Sequence, residues 1–268
     1  MKQLRTAALV FLAVVLLASL LAGVIAPAPY DFQFRESFNA ACSTRHLLGT
    51  DALGRDRFSR VLFGTRVSLL LAPAAALIST VLAALIGGAA GYFGGRLQKV
   101  LMSATDLSMA MPWLFLLITV RAMLPLNTEP AVSVVITFGL LGLLGWPAAA
   151  RVVCADAAKL IESDFILHAR AMGCSEVRLF CRQLLPNLKP VLTAQFWISI
   201  PVFILAEANL GILGLGVAEP LPSWGGLLQE LQSLALVTGR PWQFASVILL
   251  IATVTCFHIV IQREKAES

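Results

Sequence analysis

Six windows of the chain run for about 20 residues or more with few or no charges, the length an α-helix needs to cross a bilayer at about 1.5 Å per residue. They fall at Thr6–Ala26, Val67–Gly91, Val100–Leu124, Ala131–Val153, Leu188–Gly211 and Gln243–Gln262. The first follows Lys2 and Arg5 and ends in Ala-Gly-Val-Ile-Ala before Pro27, in the manner of a signal peptide. Its uncharged run is too long for a typical signal core, so it is read as an uncleaved signal anchor. A different pattern occupies Asp156 to Lys189, which is basic and amphipathic. Phe165, Ala169 and Met172 repeat at i, i+4, i+7 and predict one apolar helical face. Gly173 breaks that helix, Ser175 is placed to cap the next, and Glu176 suits its first turn. Val177, Phe180, Cys181, Leu184 and Leu185 then follow the helical repeat, and Pro186 is expected to stop it. Two short helices joined at a glycine predict a protruding knob. Periodicity alone allows a groove on a soluble partner or a pair of helices lying on anionic lipid, held there by Arg170, Arg178 and Arg182.

Composition removes the soluble alternatives. Hydrophobic residues make up 58% and charged residues 13%, against roughly 45–50% and 25% in soluble domains. Mean hydropathy is +0.84. A compact domain of 268 residues could not hide so much apolar surface from water. The chain is read as an integral membrane protein, which excludes a soluble enzyme, a secreted disulfide scaffold and a disordered regulator. Its five cysteines are scattered and show no C-x-x-C spacing, so neither a disulfide framework nor a zinc site is expected. The net charge of +5 points to cytoplasmic loops of a membrane protein and away from nucleic acid. With the N-terminus inside, inner segments carry twelve Lys and Arg and outer segments eight, Arg121 and Arg240 among them. Six of those eight lie between the first two spans, interleaved with Asp31, Glu36, Asp51 and Asp56. Both termini are therefore expected on the cytoplasmic side. No linker divides the chain, which reads as one helical bundle with outer loops at 27–66 and 212–242. The second loop is rich in Gly, Pro and Trp and is expected to be irregular and partly re-entrant.

Asp106 and Glu207 fall inside predicted spans. An ionised side chain at the bilayer centre costs about 2.5–3.5 kcal/mol on insertion scales, so each needs a partner or a polar setting. Asp106 is expected to bond a neighbouring helix. Glu207, beside Asn209, is a candidate to line or brace a translocation path. The chain has no G-x-x-x-x-G-K-[ST] phosphate loop, no H-E-x-x-H and no G-x-S-x-G. Any ATP-derived energy must then come from another subunit.

Ala169-Arg170-Ala171-Met172-Gly173, nine residues, then Gln183-Leu184-Leu185-Pro186-Asn187 resembles the "EAA" loop of binding-protein-dependent ABC importer permeases. Gly49-Thr50-Asp51-Ala52-Leu53-Gly54-Arg55-Asp56, Ser59-Arg60 and Gly64-Thr65-Arg66-Val67-Ser68-Leu69 resemble the dipeptide/oligopeptide/nickel (DppC/OppC-like) branch of that family. So do Gly91-Tyr92-Phe93-Gly94-Gly95, Leu205-Ala206-Glu207-Ala208, Leu213-Gly214-Leu215-Gly216 and Pro222-Ser223-Trp224-Gly225. The matches run from residue 46 to about 226 in the family's order. One departure stands out: Leu167-His168-Ala169 occupies the place of Glu-Ala-Ala, and His168 is read as a surface substitute.

The resemblance implies an all-α membrane protein, the transmembrane domain of a type I ABC importer, with about six spans and a cytoplasmic coupling helix. It divides the chain into an N-terminal helix and outer loop (1–66) and a five-helix permease core (67–268). The coupling site it implies comprises Asp164, Phe165, Leu167, His168, Ala169, Arg170, Ala171, Met172, Gly173, Arg178, Leu185 and Pro186. The expected partners are a homologous second permease, two ABC ATPase subunits that bind ATP and Mg, and a periplasmic or lipid-anchored substrate-binding protein. The chain itself is expected to be non-catalytic and without a cofactor, in a bacterial inner membrane. Peptides lead as cargo, with nickel or metallophore complexes and other peptide-like solutes as alternatives. An ion-coupled secondary transporter using Asp106 and Glu207, or a membrane scaffold that only recruits proteins, remain as rivals.

Overall fold

The computed structural model describes residues 2–123, 129–232 and 241–267. Among these the chain is built from helices, with only two isolated β-bridges, Gln33 to Arg55 and Thr50 to Asp56. In order they are α1 (Lys2–Leu20), α2 (Ala22–Ile25), α3 (Arg57–Phe93), α4 (Gly95–Ala110), α5 (Trp113–Met123), α6 (Pro130–Leu144) and α7 (Pro147–Ile161). Then come α8 (Asp164–Ala171), α9 (Glu176–Leu179), a π-helical turn at Phe180–Leu184, α10 (Leu185–Asn187), α11 (Lys189–Ile212), α12 (Trp224–Gln229) and α13 (Ala245–Glu267). Five segments are long and apolar enough to cross a membrane, and the bent pair α4–α5 makes up to six.

The sequence expectation of six spans holds in number, but several boundaries differ: the first helix ends at Leu20 and not Ala26, the third span begins at Gly95 and not Val100, and the fourth runs past Val153 to Ile161 with a break between Leu144 and Pro147. The second span, α3, starts at Arg57, ten residues before Val67, because Asp56 caps it: its carboxylate accepts from the Ser59 N–H at 2.8 Å and the Ser59 hydroxyl at 2.9 Å. Arg57, Arg60 and Arg66 break the apolar pattern there without breaking the helix. The third span is not straight. It bends by 81° between α4 and α5, at Met111 and Pro112, where a proline disfavours helical backbone at the residue before it. Leu124, the expected end of that span, and Arg240, counted in the second outer loop, lie outside the described residues.

The chain folds as two compact units. The first comprises residues 1–72, 120–138 and 201–268, the second 73–119 and 139–200. Two of the chain positions that separate them are prolines inside helices, Pro73 of α3 and Pro201 of α11. In the first unit α1 packs along α13, and the segment before α3 folds back in tight turns at Gly49 and Gly54, both with left-handed φ (68° and 76°). In the second unit the C-terminal part of α3 lies directly against α7: a Cβ at Gly91 would fall 2.6 Å from the Ala157 Cβ. That close seam is lined by Ala83, Ala149, Ala150, Val153 and Ala157, small or β-branched residues that let two backbones approach.

Candidate coupling surface and outer loop site

The predicted knob is present, in the second unit. Asp164 opens α8 and Arg170 closes it, each charge at the end of the helix dipole that favours it, with His168 in the same last turn. Gly173, at φ 80°, turns the chain out of the helix, and its N–H donates to the Arg170 carbonyl at 3.0 Å. Ser175 stands at the cap position of α9 but makes no side-chain bond there. Three fully buried residues anchor the knob, namely Ile166 of α8, Leu179 of α9 and Leu184 of the π-turn, packed with Val153, Ala157 and Leu188.

The anchor on α8 is therefore not the repeat picked out in the sequence. Phe165, Leu167 and Met172 are exposed, Met172 at 84%, and Val177 on α9 is exposed at 74%. Ala169 is half-buried, as is Leu185, while Asp164, His168, Arg170, Ala171, Gly173, Arg178, Arg182 and Pro186 are all exposed. One chain segment thus presents apolar side chains, two of them nearly bare, among three arginines. Pro186 does not stop the helix as expected. It sits in the first turn of α10, where its missing N–H needs no helical partner, and the chain passes with a break only at Leu188 into α11.

In the first unit, segments far apart in sequence close on one buried carboxylate. Glu207, on α11, is fully buried, and one of its carboxylate oxygens accepts from the Gly225 N–H at 3.3 Å and the Ser68 hydroxyl at 3.4 Å. The Trp224 N–H donates to Ser68 Oγ at 3.3 Å and the Trp224 indole to Thr65 Oγ1 at 3.0 Å. Three of the quoted motifs, around Thr65–Ser68, Glu207 and Ser223–Gly225, therefore meet in space. Asn209, paired with Glu207 in the sequence reading, is exposed. Gly211 makes the approach possible, since a Cβ there would overlap the Gly225 backbone.

The first unit also holds a charge cluster. Arg55 binds Asp51 at 2.6 Å and Glu219, while Arg60 reaches Glu219 at 3.0 Å and Glu230 at 2.9 Å. Burial would push the Glu219 carboxyl up, but its bonds to Arg55 and the charge of Arg60 hold it below the usual carboxylate range. For Glu230 burial wins over the same cations, and its carboxyl is pushed up. Burial likewise opposes the charge on Arg55, and the carboxylates of Glu219 and Asp51 outweigh it. The interleaved acids and arginines of the loop were visible in the sequence, but Glu219 and Glu230, some 160 residues further on, were not. Sequence reasoning also missed Arg121, which is buried and donates to the Ser133 hydroxyl at 3.1 Å and the Gly216 carbonyl at 3.2 Å. Asp106 does find a neighbouring helix, as expected: it pairs with Arg151 of α7.

Residues 59–263, three quarters of the chain, match the family of binding-protein-dependent transport system inner membrane components. The chain belongs to this family. It is similar to an oligopeptide transport system permease protein of Mycobacterium tuberculosis, 35% identical over 252 residues, covering 91% of this chain and 84% of the relative. A dipeptide transport system permease protein of Bacillus subtilis is 30% identical over 223 residues (83% and 68%). A putative peptide permease protein of Brucella suis is 34% identical over 208 residues (78% and 67%). The permease is a multi-pass membrane subunit of an ABC importer, and the family works in complexes with ATPase and substrate-binding partners. The motif order read from the sequence and the fold implied by it both agree with this membership.

Proposed function

We propose that this permease conducts di- and oligopeptides across a bacterial inner membrane, with both termini cytoplasmic. The chain pairs with a homologous second permease, two ATPase subunits dock on the cytoplasmic knobs, and a periplasmic or lipid-anchored binding protein delivers the peptide. ATP and Mg are held by the ATPases, and this chain makes and breaks no bonds. ATP binding closes the ATPase pair, which moves the knob and, through Ile166, Leu179 and Leu184, the helices it is anchored to. The three relatives above support the cargo, because each is a permease of peptide, dipeptide or oligopeptide systems.

One observation carries the coupling role for the residues from Asp164 to Pro186. The knob is fixed from within by fully buried residues, yet displays Met172 and Val177 almost bare beside Arg170, Arg178 and Arg182. Apolar side chains of this size, rimmed by cations, fit a groove on a soluble partner. Pull-down of the tagged chain from its native membrane in mild detergent tests this directly. The expected result is recovery of a second permease and P-loop ATPases, with the ATPases lost when residues 170–186 are scrambled. Recovery of the chain alone contradicts it.

A further inference from the structure

Of the knob's three buried anchors, Ile166 lies near the start of α8 and Leu179 at the end of α9. Between them the turn from Met172 to Ser175 carries only one half-buried residue, Cys174, and no heavy atom lies within 4 Å of where a Gly173 Cβ would stand. Apolar burial is non-directional, so these two anchors leave the angle between α8 and α9 weakly set. A polar cluster bridges the two helices. Tyr92, in the last turn of α3, is buried to 5% exposure, and its hydroxyl donates to the Glu176 carboxylate. The same carboxylate pairs with Arg170 at 3.5 Å, and the Arg170 guanidinium stands 6.0 Å from the Tyr92 ring. The ring itself packs edge-on against Phe180, with centroids 5.6 Å apart. One side chain at the end of α3 therefore contacts α8, through Arg170, and both α9 and the π-turn, through Glu176 and Phe180.

Hydrogen bonds to a charged group are short, directional and stronger than neutral ones. They fix orientation where the apolar anchors fix only position. We propose that Tyr92 and Glu176 form a latch that locks the α8–α9 turn to the end of α3, so that displacement of the knob reaches α3 as a defined movement. Both are positioning residues, acting through the knob. This rests on the coupling role given to the knob above.

The test uses the assembled transporter with its ATPases and binding protein. Tyr92→Phe removes the hydroxyl but keeps the ring on Phe180, so folding is preserved. Glu176→Ala removes the shared acceptor. Amide hydrogen exchange across residues 164–179 is expected to speed up by about tenfold in either variant, the opening expected from one lost charge-assisted bond. In proteoliposomes the number of peptides moved per ATP hydrolysed is expected to fall in both. The double variant is expected to be no worse than Glu176→Ala alone, because both changes break one contact. A Tyr92→Phe variant with unchanged exchange and an unchanged ratio overturns the latch, as does a double variant whose losses multiply. Wild-type liposomes that move no peptide on ATP contradict the peptide reading instead, and the exchange experiment then decides the latch by itself.

Discussion

Glu207 is held by two other chain segments, its carboxylate accepting from the Ser68 hydroxyl and the Gly225 N–H. An acid in an apolar window stands out in the sequence, and the demand for a partner follows from the cost of burying charge. The partners themselves were hidden, since Ser68 and Gly225 lie 139 and 18 residues away along the chain. Glu207→Ala removes the acceptor of a buried N–H and a buried hydroxyl, and is expected to destabilise the first unit by about 1–3 kcal/mol. Thermal unfolding of the purified chain in detergent reads that loss. Glu207→Gln keeps an acceptor oxygen for Gly225, so full transport with normal assembly in that variant would assign Glu207 to bracing and remove it from the pathway. For Asp106 a bond to a neighbouring helix was legible, but not that its partner is the Arg151 guanidinium of α7. Tyr92 and Arg121 left no comparable signal. A tyrosine ending an apolar run and an arginine near the end of a predicted span both read as ordinary interfacial residues, and only the fold shows that each is buried against polar groups.

Among the elements, hydropathy located every span but did not place their interruptions. Apolar length is a sum over about 20 residues, whereas a break depends on one or two, such as Pro112 between α4 and α5 or Asp56 ahead of α3. Pro186 illustrates the opposite error: a proline read as a terminator is accommodated at the first turn of α10, directly after the π-turn. Glycines carry the sharpest element-scale forecast. Gly211→Ala forces a methyl group into the Gly225 backbone and is expected to cost about 1–3 kcal/mol, by separating α12 from α11. Gly139→Ala in α6 meets no atom within 4 Å and is expected to stabilise the helix by about 0.5–1 kcal/mol. Melting temperatures of the two variants should move in opposite directions. Equal losses would contradict the close approach.

At the scale of the whole molecule, the division into two units was not legible. It interleaves segments of α3, α5, α6 and α11, each of which reads in sequence as an uninterrupted element. What was legible was the order of short motifs, and their physical content is now clear: Thr65–Ser68, Glu207 and Ser223–Gly225 hold one another in the first unit, and the segment from Ala169 to Pro186 forms the knob in the second. In the function proposed here, partner ATPases drive this peptide permease through its knob. Uptake of a labelled peptide into proteoliposomes holding the two permeases and the ATPases, with binding protein added outside, tests it most directly. Uptake that requires ATP, the binding protein and an intact 164–186 segment is the result predicted here. Uptake by this chain alone, driven by a proton gradient and indifferent to ATP, would contradict it and return Asp106 and Glu207 to the centre as proton-carrying groups.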